Sequence, residues 1–279
     1  MEIIAINEKN RNTFAERMGP DLTEDLDREF YRGLGALGDG DTPMGVLIYE
    51  LKNVEEETAT KSEIILLDGD DEKVKDALME SYKAAVDAEN VKESFYELPG
   101  QDLGAFFEKM GFKNDVIEGG TVSITLEEFM QLPIIKGKIP EHIGSISGLV
   151  MRAFRKGVTK FLFMGKKGLL EDLAYLPINW FEMEVSAYSA ADEKVNGFLL
   201  LRKNPSGSLE VKLFIAAGPD YLVNLVGMVR YAVKKAYELY PPETKIIIRR
   251  HNDQTHAFVG KLFPGAKGEP SIRGGRDEV

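Results

Sequence analysis

The stretch LGAFFEKMGF, residues 103–112, has the pattern of a short helix that ends at a glycine. Phe106 and Phe107 supply the apolar face that such a helix turns towards a core. Gly111 follows the last turn, and glycine adopts the left-handed backbone conformation that closes a helix more readily than other residues do. The stretch therefore predicts a helix that stops at Gly111 so that the chain can turn into a strand.

A similar stretch occurs 152 positions later in the chain. It aligns residues 105–110, AFFEKM, with residues 257–262, AFVGKL. The same offset aligns residues 45–47, GVL, with residues 197–199, GFL. Because two separated anchors share one spacing, the sequence predicts a duplicated domain.

Each half of the chain has the same order of predicted elements, which is strand, strand, helix, strand, helix. Alternating apolar residues predict the strands, and an apolar repeat of about 3.6 residues predicts the helices. In the first half the elements are Met44–Leu51, Glu63–Leu67, Asp71–Glu89, Ser94–Leu98 and the stretch quoted above. In the second half they are Gly197–Arg202, Leu209–Ala217, Tyr221–Tyr240, Lys245–Arg250 and a helix from Asn252 onward.

The domain boundary is expected near Pro133 to Pro140, after a last strand at Thr121–Leu126. A chain of 279 residues exceeds the roughly 100 to 200 residues of one domain. We therefore predict domains at residues 1–135 and 136–279, with an irregular tail after Gly268.

The cysteine content and the distribution of charge exclude some kinds of site and favour others. The chain has no cysteine, which removes disulfides, thiolate ligands and a cysteine nucleophile, and no metal site is predicted. Residues 1–135 carry 13 Lys and Arg against 31 Asp and Glu, a net charge of −18, and residues 136–279 carry 22 against 15, a net charge of +7. The acidic half would repel nucleic acid, whereas the basic half could attract an anion such as a cofactor phosphate. The alternative is that the opposite signs only aid packing or solubility.

The sequence also gives an expectation for the compartment. No apolar run approaches the roughly 18 residues that a membrane span needs. The first residues, MEIIAINEKN, lack a basic segment followed by an apolar stretch, so a cytoplasmic protein without a membrane partner is expected.

The element order and the ending AFFEKMGF resemble the GNAT superfamily of N-acetyltransferases, whose last helix commonly reads N-x-x-A-x-x-L-Y-x-K-x-G-F. The matching residues are Phe106, Lys109, Gly111 and Phe112 in the first copy and Asn252, Phe258 and Lys261 in the second. The resemblance covers nearly the whole chain. It implies an α/β (α+β) fold of two tandem GNAT-like domains, each with a mixed, mostly antiparallel sheet flanked by helices.

Members of this family bind acetyl-CoA between two splayed strands and rest its diphosphate on backbone N–H groups at the start of the central helix. In the first copy the corresponding loop, residues 68–72, is DGDDE, and its four carboxylates would repel a diphosphate. In the second copy the loop, residues 217–222, is AGPDYL, with one acid. The resemblance therefore implies a cofactor site in the second copy only. Its predicted cofactor-binding residues are Phe214, Ile215, Ala216, Ala217, Gly218, Tyr221, Leu222 and Asn252.

The resemblance leaves the acid–base residues open. The Tyr that protonates the departing thiolate in many family members corresponds to Phe107 in the first copy and to Val259 in the second, and neither can donate a proton. Glu182 and Glu184 are the candidate catalytic bases. They alternate with apolar residues along a predicted half-buried strand, a pattern that is more typical of two solvent-facing carboxylates.

Two functions remain open. The first is an acyl-CoA-dependent N-acetyltransferase that acts from the second copy, with acetyl-CoA as cosubstrate and a small-molecule or peptide amine that attacks the thioester directly. The second is a non-catalytic tandem GNAT-like protein that binds a ligand or a partner. The surviving Asn252 and the positive second half favour the enzyme, whereas the altered phosphate loops and missing tyrosines favour the binding protein. A transferase that uses an aminoacyl carrier is a third class, which no residue specifically supports, and an oligomer is compatible with the sequence.

Overall fold

The structure is a computed structural model of the chain, and it describes residues 1–26, 31–52, 60–99, 103–164, 178–191, 194–204, 207–249, 257, 259–261, 263 and 268–278. The chain divides into two compact units. The first comprises Met1–Gly120 and Gly268–Val279, and the second comprises Thr121–Lys267. The division falls before the predicted boundary at residue 135, and the last residues of the chain belong to the first unit.

The first unit is a sheet with three helices. Its strands are β1 (Glu2–Ile6), β2 (Tyr31–Leu37), β3 (Pro43–Lys52), β4 (Thr60–Gly69), β5 (Val91–Pro99) and β12 (Glu269–Asp277). They lie in this order, with β4 and β5 parallel and the other adjacent pairs antiparallel. The helices are α1 (Ala15–Asp25), α2 (Glu72–Ala88) and α3 (Gly104–Lys109).

The second unit repeats this arrangement. Its strands are β7 (Ile143–Ser145), β8 (Ala187–Ala191), β9 (Lys194–Lys203), β10 (Leu209–Ala216), β11 (Lys245–Arg249) and the last residues, 121–125, of β6 (Lys113–Thr125). They lie in this order, with β10 and β11 parallel and the other adjacent pairs antiparallel. The helices are α4 (Leu126–Gln131), α5 (Met151–Phe163) and α6 (Tyr221–Leu239). Both sheets are therefore mixed and mostly antiparallel, as predicted.

A β-bulge recurs at the same place in both units. In the first, Ile48 pairs with Leu66 and the next residue of β3 pairs with Ile64, so that Ile65 has no partner across the strand pair. In the second, Lys212 is left without a cross-strand partner in the same way, between Val211 and Leu213. Each bulge lies in the strand that leads into the long helix, α2 or α6. A bulge bends its strand and locally disrupts the pairing with the neighbouring strand. Both units therefore have a bent strand at the same place in the sheet.

Helices cover both faces of the second sheet. Leu199 and Leu201 of β9 pack with buried residues of α6, whereas the alternating Phe198 and Leu200 pack with buried residues of α5. Because successive strand residues point to opposite faces, α5 and α6 lie on opposite sides of the sheet. Truncating a fully buried aliphatic side chain in such a core costs about 2–5 kcal/mol.

The end of helix α3, in residues 103–112, has the predicted conformation. Gly111 has φ 87°, and its N–H donates to Glu108 O at 2.9 Å while the Phe112 N–H donates to Phe107 O at 3.0 Å. These two bonds form a Schellman motif, which pairs the last carbonyl groups of a helix. The Phe112 ring packs on the buried Phe107 ring with centroids 5.2 Å apart, and Phe107 also stacks on Tyr96 at 3.8 Å. The aromatic face and the glycine cap are both confirmed.

The tail contradicts the sequence prediction. Residues after Gly268 were expected to be irregular, but they form β12, which pairs with β5 over seven registered positions from Ser271 to Asp277. Ile272 of this strand is buried in the core of the first unit. Within the described ranges, no helix combines the length and the apolar character that crossing a membrane requires.

Candidate functional site

Strands β10 and β11 are registered over two residue pairs in the part of the chain that the structure describes. Their registered pairs are Leu209 with Ile246 and Glu210 with Ile247. Strand β10 then continues to Ala216, bonded to β9 on its other side, and no further pair with β11 is registered as far as its last described residue, Arg249. In the described part of the chain the registered pairing thus ends at Glu210, and we call the region of β10 beyond this pair the wedge.

The backbone of β10 directs N–H and C=O groups of alternate residues towards this wedge. The Ala217 N–H donates to Asn196 O at 2.8 Å, which fixes the alternation of the antiparallel β9–β10 ladder. Phe214 and Ala216 consequently occupy non-hydrogen-bonded pairs, and their N–H and C=O groups point to the wedge. The same alternation turns the backbone groups of Ile215 towards β9. Of these three predicted cofactor-binding residues, Ala216 is therefore the one whose backbone could pair with an extended ligand.

At its wide end the wedge leads to the start of helix α6. Gly218, with φ 97°, turns the chain from β10 towards the helix, and Asp220 precedes the first turn without a side-chain cap. Tyr221 and Leu222 are 45% and 57% exposed. The first N–H groups of a helix have no partner within the helix and carry a partial positive charge. Ala217, Gly218, Tyr221 and Leu222 thus lie together at a helix start that could receive an anion. The Ala217 N–H is already bonded to β9, and the Tyr221 N–H donates to Gly218 O at 3.3 Å.

The start of helix α2 in the first unit is different because it is closed by the protein's own carboxylates. Asp71 precedes α2, and its side chain accepts a hydrogen bond from the Val74 N–H at 2.9 Å. Arg17 forms ion pairs with Asp68, at 2.7 Å, and with Asp70. A diphosphate would have to displace the Asp71 cap, whereas Arg17 partly offsets the charge of Asp68 and Asp70. Repulsion of a diphosphate by this loop stays a prediction.

A buried charge cluster occupies the point where β10 and β11 part. The carboxylate of Glu210 accepts hydrogen bonds from Lys212 Nζ and from Arg249 Nε, both at 2.8 Å. Burial alone would raise the pKa of Glu210, but the two cations and their hydrogen bonds outweigh it and hold this pKa well below its ordinary value. Glu210 is therefore a permanent anion near neutral pH and a weak proton acceptor.

Sequence reasoning missed this cluster for an identifiable reason. Lys212 reaches Glu210 from the bulge, and Arg249 comes from the next strand, 39 residues further along the chain. On the opposite side of Glu210, Arg202 is its registered partner on β9, and the Arg202 guanidinium lies 4.0 Å from the centroid of the Trp180 ring. The detectable signal is a Glu and a Lys in a strand of otherwise apolar residues, LEVKLFIA.

The two predicted catalytic carboxylates do not lie on a strand. Residues 181–186 form a turn, in which the Ser186 N–H donates to Glu182 O at 2.8 Å, so the expected alternation along a strand is wrong. The side chain of Glu182 accepts a hydrogen bond from the Tyr240 hydroxyl at 2.7 Å. Glu184 is exposed, and its carbonyl oxygen accepts from the Tyr231 hydroxyl. A catalytic role for either carboxylate stays a prediction, and Asn252 lies outside the described residues.

Comparisons with known proteins bear on the fold. No protein-family model matches the chain, and no curated protein matches its sequence. A tandem GNAT protein from the clavulanic acid biosynthesis pathway matches with a TM-score of 0.65 at 9% identity, over 100% of this chain and 99% of that one. A putative acetyltransferase from Pyrococcus horikoshii matches with a TM-score of 0.59 at 14% identity, over 100% of this chain and 89% of that one. A GCN5-related N-acetyltransferase from Sphaerobacter thermophilus matches with a TM-score of 0.57 at 10% identity, over 99% of this chain and 95% of that one.

These matches span whole chains, and they agree with the repeated strand order and the shared bulge described above. Identities of 9 to 14% establish architecture and leave the activity to be argued from the site. The chain has the tandem GNAT fold.

Proposed function

We propose that this chain is an acyl-CoA-dependent N-acetyltransferase that acts from its second unit. The observation that carries the proposal is the wedge beyond the last registered pair of β10 with β11, together with the start of helix α6, where the Asp220 side chain makes no capping bond. The names of the matched structures, among them a putative acetyltransferase and an N-acetyltransferase, support the same class of reaction.

The residues of the wedge fit acetyl-CoA at two places. The first-turn amides of α6, around Leu222 and Val223, suit a diphosphate because they are uncapped and carry the positive end of the helix dipole. The N–H and C=O groups of Ala216 suit the amide-bearing arm of the cofactor, which would add to β10 as a strand does.

Acetyl-CoA, when bound, supplies the thioester that an acceptor amine attacks. The chain's own contribution is to orient it: a backbone N–H on the open edge of β10 can donate to the thioester oxygen where negative charge develops. Phe107 and Val259, at the positions of the family's Tyr acid, are fully buried and cannot donate a proton. Glu210 is a poor base because its two cations stabilise the anion. Since none of these three positions can take a proton from the amine, we propose that the amine enters the site in its neutral form.

The first unit contributes differently. Its β4–β5 pair also ends early, after Ile64 and Tyr96, while β4 continues to Gly69. The Asp71 cap closes the helix start that follows, so we assign no cofactor to this unit. This closed start is also what favours the second candidate function, a non-catalytic tandem protein that binds a ligand or a partner.

Calorimetry with acetyl-CoA separates the two functions. We expect saturable binding of one acetyl-CoA per chain, together with release of free thiol when a mixture of amines is added. The variant Ala216→Pro removes one N–H that faces the wedge and leaves the β9 ladder intact, since Pro is tolerated on the unpaired side of a strand. It should weaken the binding of acetyl-CoA by about tenfold or more, because a well-placed hydrogen bond and its strand contacts are lost. The control Ala216→Ser keeps the N–H and should bind normally. No heat at millimolar acetyl-CoA would reject the enzyme and favour the binding protein.

A further inference from the structure

Two cationic side chains mark the narrow end of the wedge. The last registered pair between β10 and β11 is Glu210 with Ile247. Lys212 and Arg249 are the residues two positions beyond this pair on their respective strands, and both donate to Glu210. Just beyond the last registered pair, a Lys and an Arg are thus held by one carboxylate.

The cluster faces the side of the sheet that α5 covers. Ile246 and Ile248 pack with the α6 core, so the alternating residue Arg249 points to the other face. The three charged side chains of the cluster differ in their exposure to solvent. The Glu210 side chain is 4% exposed, whereas those of Lys212 and Arg249 are 21% and 15% exposed. The carboxylate therefore lies beneath, and the cations form the accessible layer.

This layer suits an anionic group on the molecule that enters. The Lys212 ammonium has three N–H donors, and in the contacts of the described residues it directs one of them to Glu210. Fixed positive charge also lowers the pKa of a neighbouring ammonium group, because two like charges disfavour one another. The same pair of cations would thus bind an anion and favour the neutral, nucleophilic form of an amine beside it.

We propose that the acceptor is an amine that carries a carboxylate, an amino acid or a short peptide, and that Lys212 and Arg249 bind this carboxylate at the narrow end of the wedge. The inference rests on the proposed acetyltransferase function. Lys212 is a substrate-binding residue in this scheme, and Glu210 is a positioning residue that holds the two cations in place.

The test uses the full chain with acetyl-CoA and matched pairs of acceptors that differ by one carboxylate. The pairs are phenylalanine with phenethylamine, histidine with histamine, and lysine with cadaverine. For at least one pair we expect kcat/KM of the carboxylated member to be about tenfold higher or more, the size of a charge-assisted contact. In Lys212→Met this preference should fall at least about fivefold through KM, with acetyl-CoA binding unchanged, and Lys212→Arg should restore part of it.

Control variants and alternative outcomes keep the proposal falsifiable. Lys194→Met makes the same substitution at an exposed residue of β9 and should leave the preference intact. Because the single Trp of the chain, Trp180, is buried in the second unit, its fluorescence shows whether Lys212→Met is folded. Equal or better use of the decarboxylated amines, or a stronger preference for phosphoethanolamine over ethanolamine, overturns the inference and leaves the acetyltransferase standing.

The carboxylate site can also be tested if the protein turns over none of these amines. If acetyl-CoA binds but no amine reacts, calorimetry of the CoA-saturated protein with N-acetyl amino acids reads the carboxylate site directly. Binding that Lys212→Met abolishes supports the inference, and no binding at millimolar ligand overturns it. If acetyl-CoA itself does not bind, the proposed function fails and this inference fails with it.

Discussion

The carboxylate of Asp71 accepts a hydrogen bond from the Val74 N–H at 2.9 Å and so closes the start of helix α2. Asp220, which precedes helix α6, makes no such bond. Among the described residues, one helix start is therefore capped by its own carboxylate, and at the other the preceding Asp makes no capping bond. This difference is the physical reason why we propose the cofactor site in the second unit.

The Asp71 cap should contribute measurably to the stability of the first unit. Asp71→Ala removes the acceptor for the Val74 N–H and should lower the free energy of unfolding by about 1 kcal/mol. Asp71→Asn keeps an equivalent cap and should change it little. Urea denaturation followed by far-ultraviolet circular dichroism measures both, and equal stability of the Ala and Asn variants would show that the bond is unimportant.

Glu210 should be critical for the second unit. Glu210→Gln leaves Lys212 and Arg249 without their anion in a buried setting, and breaking such a pair costs about 3–5 kcal/mol. The shift is measured by denaturation followed through the fluorescence of Trp180. Glu238→Gln, which removes the exposed partner of Lys235, is the control and should leave the midpoint unchanged.

Acidification should remove the contribution of Glu210. Since its pKa in the folded protein lies below the ordinary value of about 4.3, its stabilisation is complete above that pH and is lost as the pH falls further. The difference in stability between wild type and Glu210→Gln should therefore shrink on acidification. A difference that grows as the pH falls would contradict the assignment of Glu210 as an anion.

Two tyrosines of the first unit should ionise late. Burial raises the pKa of Tyr82 to about 12, although the adjacent hydroxyl groups of Ser62 and Ser94 lower it in part, and burial raises the pKa of Tyr96 to about 12. A raised pKa stabilises the fold below about pH 10, the value in the unfolded chain, and this stabilisation is lost as the pH rises towards 12. Near-ultraviolet titration of tyrosinate absorbance should show a late phase that is smaller in Tyr82→Phe. Ionisation of all ten tyrosines in one phase near pH 10 would contradict this.

The last strand of the chain should be needed by the first unit. Ile272 on β12 is 5% exposed and packs in the core formed with α2 and β5. Ile272→Ala should cost about 2–5 kcal/mol, and Ile272→Val about 0.5–1.5 kcal/mol. Chemical denaturation distinguishes these values, and no loss in Ile272→Ala would mean that the strand is not part of the core.

Local chemistry explains which parts of the fold could be predicted from the sequence. The helix end at Gly111 follows from one glycine and a neighbouring aromatic face, both readable within ten residues. The long helix α6 follows from its apolar repeat and from the two prolines, Pro241 and Pro242, that follow its last turn. The repeated order of strands and helices is visible because each copy carries the same local signals.

Partners distant in sequence explain what could not be predicted. Strand β12, EPSIRGGRD, has two glycines and little apolar alternation, and it becomes a strand through its ladder with β5. Glu182 and Glu184 imitate strand alternation, but a hydrogen bond between the Ser186 N–H and Glu182 O closes a turn there. The burial of Glu210 depends on Arg249, which no local pattern connects to it.

The assignment of the diphosphate to the start of α6 is tested most directly by calorimetry of Tyr221→Glu against Tyr221→Gln with acetyl-CoA. Tyr221 is exposed at the first position of the helix, where a Glu stabilises the fold through the helix dipole but places a negative charge beside the proposed diphosphate site. We predict that the Glu variant is at least as stable as the Gln variant. We also predict that it binds acetyl-CoA at least about tenfold more weakly. Equal affinity of the two variants would contradict a diphosphate site at this helix start.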